Sequence, residues 1–170
     1  VLVRDLRELI DELGLTDFDL GGFSLGARTT VEAVGEGLKP RKAVLGGSGL
    51  EGLQNWKRRK TFFLEAIAMF DKVQRGDPHW LSIQFMKSQK GDRIAPALLH
   101  ESFEDTFMDW LKAYTMPSLV MSGSGDHAHG SAEEVAAALP DAEYREAAGT
   151  HMSSVTEPAF GEQIARFLAG

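Results

Sequence analysis

Phe18-Asp19-Leu20-Gly21-Gly22-Phe23-Ser24-Leu25-Gly26-Ala27 is the stretch that decides how this chain is read. A short segment from Phe18 to Gly22 ends in glycines, and a helical stretch starts at about Leu25 and breaks near Gly35 and Gly37. Between them, Gly22-Phe23-Ser24-Leu25-Gly26 has the form G-x-S-x-G. A serine that attacks a carbonyl must stand out from a sharp strand-to-helix turn, on a strained backbone. Bulky side chains two positions to either side would crowd such a turn, which accounts for the glycines. The helix that follows aims its N-terminus at the serine and favours negative charge developing there. The Leu25 backbone N–H is then placed to hold an oxyanion. The pentapeptide arises by chance in roughly one chain in ten of this composition, so its structural context carries the reading.

That context extends both ways. Upstream, Leu2, Leu6, Leu9, Ile10 and Leu13 form one apolar stripe at helical spacing, with Arg7, Glu8, Asp11 and Glu12 on the other face and Gly14 as a stop. Downstream, Ala43-Val44-Leu45 is a short apolar run ending in Gly46-Gly47 and reads as a buried strand. Helix, strand, helix, strand is the rhythm of a parallel sheet with crossover helices. From about Leu53 to Tyr114 the pattern is helical, rich in Phe, Met and Trp, and interrupted at Gly76-Asp77-Pro78 and Gly91-Asp92. Strand rhythm resumes at Ser118-Leu119-Val120-Met121. A loop from Ser122 to Gly130 follows, then a helix opened by a capping box of Ser131 and Glu134. Glu143 to Glu146 reads as a weak last strand, and Pro158 opens a terminal helix. The expected architecture is α/β: a mostly parallel sheet with flanking helices over residues 1–52 and 115–170, interrupted by a helical cap over 53–114 whose aromatic residues line an apolar pocket.

A serine hydroxyl is a weak nucleophile and needs a base, which a carboxylate must orient. Asp126 stands in the loop after the third strand and His151 in the loop after the last one, both at strand C-terminal ends, where open α/β sheets build their sites. Ser24, Asp126 and His151 are therefore the candidate nucleophile, acid and base, with Leu25 supplying an oxyanion donor. Phe23 and Ser48, the latter in Gly46-Gly47-Ser48-Gly49, are the candidate substrate-binding residues. Asp126-His127-Ala128-His129 superficially resembles a metal cluster, but its two histidines are two apart on a loop without a third ligand nearby in sequence. No metal and no cofactor is expected.

Composition narrows the function further. The 170 residues suffice for one sizeable core, and 43% hydrophobic with 25% charged residues is ordinary for a soluble domain. A net charge of -7 argues against nucleic acid as a partner. The basic run Lys57-Arg58-Arg59-Lys60 reads as a solvated helix face. With no cysteine, disulfides and thiol nucleophiles are excluded. No apolar run is long enough to span a bilayer and no signal peptide opens the chain, so a cytoplasmic protein acting on a small molecule is expected.

The segments around the three candidate residues resemble the α/β-hydrolase fold superfamily. Asp5 to Ala27 is similar to its helix, strand and nucleophile elbow, Pro117 to Asp126 to its acid strand and loop, and Gly149-Thr150-His151-Met152 with Glu157-Pro158-Ala159-Phe160 to its histidine loop and final helix. The resemblance implies cleavage of a carboxylic ester through an acyl-enzyme, without cofactor or metal. The Gly-Phe-Ser-Leu-Gly elbow also occurs in perhydrolase and cofactor-free haloperoxidase relatives, which keep the same triad. A non-catalytic binding role or an inactive fragment is the third reading. In the superfamily, further strands precede the position of Val1. That implies an open edge on the strand before Ser24, and hence association with a second copy, as a homodimer, or with an N-terminal segment.

Overall fold

The computed structural model describes residues 1–88, 92–127 and 129–170 and divides into two compact units, Val1–Gln54 with Thr106–Gly170, and Asn55–Asp105. The first unit is built on four strands, β1 (Leu20–Phe23), β2 (Ala43–Gly46), β3 (Ser118–Gly123) and β4 (Ala142–Ala147), lying side by side in chain order. All three pairings are parallel, and Leu20, Ala43, Ser118 and Ala142 stand level across the sheet. The four strands therefore point their C-terminal ends toward one rim.

Strands β2 and β3 are buried along their whole length, which is why they read as unbroken apolar runs. Their residues still alternate between faces. Ala43, Leu45 and Val120 pack with Ala27, Val31 and Val34 of α2 (Leu25–Gly35) and with Val135 of α7 (Ala132–Ala138). Val44, Leu119 and Met121 pack on the other side with Phe160 of α8 (Pro158–Ala169). Helix α1 (Leu2–Glu12) buries Val3 and Ile10 and packs on α2, and Gly14 leaves it at φ +62°. The Ser131 hydroxyl accepts from the Glu134 N–H at 3.1 Å, the cap that their spacing predicts. Lys42 Nζ donates to the carbonyls of Phe167 (2.9 Å) and Leu168 (3.1 Å), closing the C-terminal end of α8.

Three boundaries differ from the sequence reading. Strand β1 starts at Leu20, so Asp19 lies outside the apolar strand and pairs with Arg41 at 2.9 Å. Strand β3 continues past Met121 to Gly123. Residues 106–114 belong with the sheet: a 3₁₀ turn over Met108–Ala113 lays the Trp110 ring where Gly35 has no Cβ and puts Leu111 into the core.

A short helix α3 (Leu50–Gln54) ends the first stretch of the first unit; the second unit holds α4 (Trp56–Ala68), α5 (Trp80–Ser88) and α6 (Ile94–Ser102), with no strand among the described residues. Trp56 organises it. Its backbone N–H donates to Asp105 Oδ1 (2.7 Å) and its indole N–H to the His100 carbonyl (3.2 Å). The His100 imidazole stacks on Phe63, with centroids 4.3 Å apart and planes 5° from parallel. Burial, with Arg59 adding, holds His100 below its ordinary pKa. Of the basic run, Lys57 and Arg58 are exposed, and Lys60 donates to the Glu101 carbonyl at 2.6 Å. Among the described residues no helix is long and apolar enough to cross a membrane.

Candidate active site

The turn from β1 into α2 puts Ser24 at φ 55°, ψ -110°. It is the only non-glycine residue at positive φ among the described residues. Such a conformation costs about 1–3 kcal/mol and persists only when its surroundings enforce it. They do so here through the Ser24 N–H, which donates to the Gly46 carbonyl at 2.8 Å, and the Ser24 carbonyl, which accepts from Arg28 N–H at 3.2 Å. The two flanking glycines are not equivalent. A Cβ on Gly22 would run into the backbone of Gly26 and Ala27, whereas a Cβ on Gly26 would meet nothing within 4 Å. The crowding expected on both sides of the serine exists on one side only.

The other two groups arrive from neighbouring strand ends. After β3 the chain turns tightly, with Asp126 N–H bonded to the Gly123 carbonyl (2.9 Å), and the Asp126 side chain is left 3% exposed. After β4 the chain folds back over the end of β3. Gly125 N–H donates to the Gly149 carbonyl (2.8 Å), Gly149 sits at φ +109°, and Ser154 N–H closes onto the Thr150 carbonyl (2.9 Å). A Cβ on Gly123 would collide with that Gly149 carbonyl, so the two loops meet backbone to backbone. This contact carries His151 to Asp126 across 25 residues of sequence.

The buried carboxylate needs a donor, and His151 Nδ1–H supplies it at 2.8 Å to Oδ2. That tautomer leaves the Nε2 lone pair to accept the Ser24 hydroxyl proton, at 3.0 Å. Ser24, His151 and Asp126 thus form one hydrogen-bonded chain with the geometry of an activated nucleophile. Leu25 is the first residue of α2, where a backbone N–H has no intrahelical partner. Phe23 lies against the imidazole, centroids 4.9 Å apart, and turns an edge to Phe160 at 5.9 Å. Ser48 is buried in the loop after β2, next to Gly47, whose α-carbon faces both Phe23 and His151. Between β4 and β3, burial raises the Tyr144 phenol above its ordinary pKa, and its oxygen bonds Ser122 Oγ at 2.8 Å.

The site also contains His129, which the sequence reading set aside for want of a third ligand nearby in sequence. His129 brings its Nε2 to 3.4 Å from His151 Nε2, with rings 78° apart. Its backbone is held firmly: Gly52 N–H donates to the His129 carbonyl (2.9 Å), Leu50 N–H to the Ser131 carbonyl (3.1 Å), and Gly49 packs directly on the His129 and Gly130 backbone. Twenty-two residues separate the two histidines in sequence, so no spacing rule would have paired them.

With four parallel strands and every candidate group on the loops at their C-terminal rim, the chain invites comparison with known structures. It superimposes over 99% of its length on a hydrolase from Pseudomonas aeruginosa PA01, with TM-score 0.73, 20% identity and 71% of that chain covered. The fold is that of an α/β-hydrolase. A bromoperoxidase from Bacillus anthracis gives TM-score 0.75 at 18% identity, covering 99% of this chain and 73% of that one. An esterase from Exiguobacterium antarcticum gives TM-score 0.73 at 17% identity, covering 99% and 72%. No protein-family model and no curated protein matches the chain. On this α/β-hydrolase sheet, Ser24 follows β1, Asp126 follows β3 and His151 follows β4, while the glycine-rich loop after β2 lies between them in strand order.

Proposed function

We propose that the chain is the nucleophile-bearing part of a serine hydrolase that cleaves carboxylic esters. The observation that carries this reading is the bonded chain from Ser24 Oγ to His151 Nε2 (3.0 Å) and from His151 Nδ1 to Asp126 Oδ2 (2.8 Å), anchored on a strained Ser24 backbone. His151 takes the hydroxyl proton as Ser24 Oγ bonds to the ester carbonyl carbon, and Asp126 stabilises the imidazolium so formed. The Leu25 N–H holds the oxyanion. Collapse expels the alcohol, which receives the proton from His151 and leaves an acyl-serine. Water, deprotonated by His151, then releases the acid and restores Ser24.

A second reading has one observation in its favour, the superposition on a bromoperoxidase. In that reading hydrogen peroxide replaces water on the acyl-serine and a peracid leaves in place of the acid. Peroxide-dependent oxidation in the presence of a carboxylic acid separates the two.

Labelling with a fluorophosphonate probe tests the shared step. The expected result is stoichiometric modification that disappears in Ser24→Ala. A folded chain that never labels would sink both readings.

A further inference from the structure

His129 is not needed by the mechanism above, yet the fold holds it against the base. The 3.4 Å between His129 Nε2 and His151 Nε2 is long for a hydrogen bond between rings. It matches a different arrangement. Two imidazole nitrogens about 2.0–2.1 Å from one tetrahedral Zn²⁺ stand roughly 3.3–3.4 Å apart. Ser24 Oγ lies 3.0 Å from the same His151 nitrogen and offers a third donor. His151 has the orientation a metal ligand requires, because its other nitrogen already donates to the Asp126 carboxylate. The ligand atoms of Asp126, His129 and His151 all fall within 4.8 Å of one another.

We propose that His129 Nε2, His151 Nε2 and Ser24 Oγ form an inhibitory binding site for a borderline transition-metal dication such as Zn²⁺. Imidazole donors select Zn²⁺, Cu²⁺ and Ni²⁺ over Mg²⁺ and Ca²⁺. A metal on His151 Nε2 occupies the lone pair that must accept the serine proton, so metal binding and base catalysis exclude each other. The inhibitory part rests on the hydrolase reading; the binding part does not.

The test is a calorimetric titration of the chelator-stripped full chain with ZnCl₂ alone, alongside fluorophosphonate labelling with and without Zn²⁺. One Zn²⁺ per chain is expected. His129→Ala and His129→Asn should each weaken binding by more than the roughly 10- to 100-fold lost when only a ligand's hydrogen-bond partner is removed. His127→Ala, on the exposed face of the same loop, should bind as the parent does. Zn²⁺ should slow labelling of the parent, and the ratio of rates with and without Zn²⁺ should return toward one in the His129 variants. In the unaltered chain, Zn²⁺ should shift two imidazole Cε1–H resonances together, a readout that no variant's folding affects. Absence of a stoichiometric site, unchanged affinity in the His129 variants, or loss of affinity in His127→Ala in their place would overturn the proposal. A chain that labels but neither binds Zn²⁺ nor is protected refutes the metal site and leaves the hydrolase reading standing. A chain that binds through His129 but never labels does the reverse.

Discussion

Ser24 owes its position to one glycine more than to the other. Gly22 has the Gly26 backbone where its side chain would be, so Gly22→Ala must push the start of α2 away from β1. A loss of about 1–3 kcal/mol or more is expected, as for other forced overpacking. Gly26→Ala has open space and a helical backbone, so it should raise stability by up to about 1 kcal/mol through helix propensity alone. Opposite signs in urea melts of the two variants check this, and a tolerated Gly22→Ala would contradict the elbow geometry. At the proposed acid, Asp126→Asn keeps the shape but no longer favours the Nδ1–H tautomer of His151. If the chain is the hydrolase proposed, kcat for an ester should fall by about four orders of magnitude, with the urea midpoint as the control for folding. These residues were legible in the sequence because each follows a strand. His129 was not, because its relevance depends on a loop 22 residues away.

At the scale of elements, apolar runs located β2 and β3 well, since strands buried on both faces cannot carry charge. Strand β4 was the weakest in sequence for the same reason turned round: it lies at the sheet edge, where Glu143, Arg145 and Glu146 are tolerated. In the helical unit the aromatic pattern was visible, but not the way His100 completes it. His100 titrates below its ordinary value when folded, because burial disfavours the charged imidazole. The unfolded chain therefore binds the proton first. The stability this neutral histidine contributes is present above about pH 6.5 and is lost as pH falls toward its lowered folded value. His100→Phe keeps the stack on Phe63 and removes the titration. Its urea midpoint should gain on that of the parent steadily from pH 7 to pH 5, and parallel pH profiles would refute the assignment.

At the scale of the whole molecule, the two sheet edges differ. Strand β4 presents charged side chains, which guard an edge against further pairing. Strand β1, Leu-Gly-Gly-Phe, carries none and pairs only with β2 among the described strands. Beside it opens an apolar cavity of about 290 Å³ lined by Phe23, Val44, Phe160, Ile164 and Leu168. We propose that chains associate along this unguarded strand beside its apolar cavity. A dimer mass by light scattering at micromolar concentration is the expected outcome, and a monodisperse monomer up to about 100 µM would count against it. Leu20→Lys, which places a charge at the start of that strand, should shift the population toward monomer.

Periodicity and turn chemistry were enough to read the alternation of helices and strands, the turn at Ser24 and the loops after strands that carry Asp126 and His151, because each is a local pattern spanning a few residues. Level strand ends, the backbone contact of Gly123 with Gly149, and the approach of His129 to His151 were settled only in three dimensions. They depend on parallel register and on loops packing without side chains between them. Such contacts leave a glycine in the sequence but do not reveal what fills the space beside it.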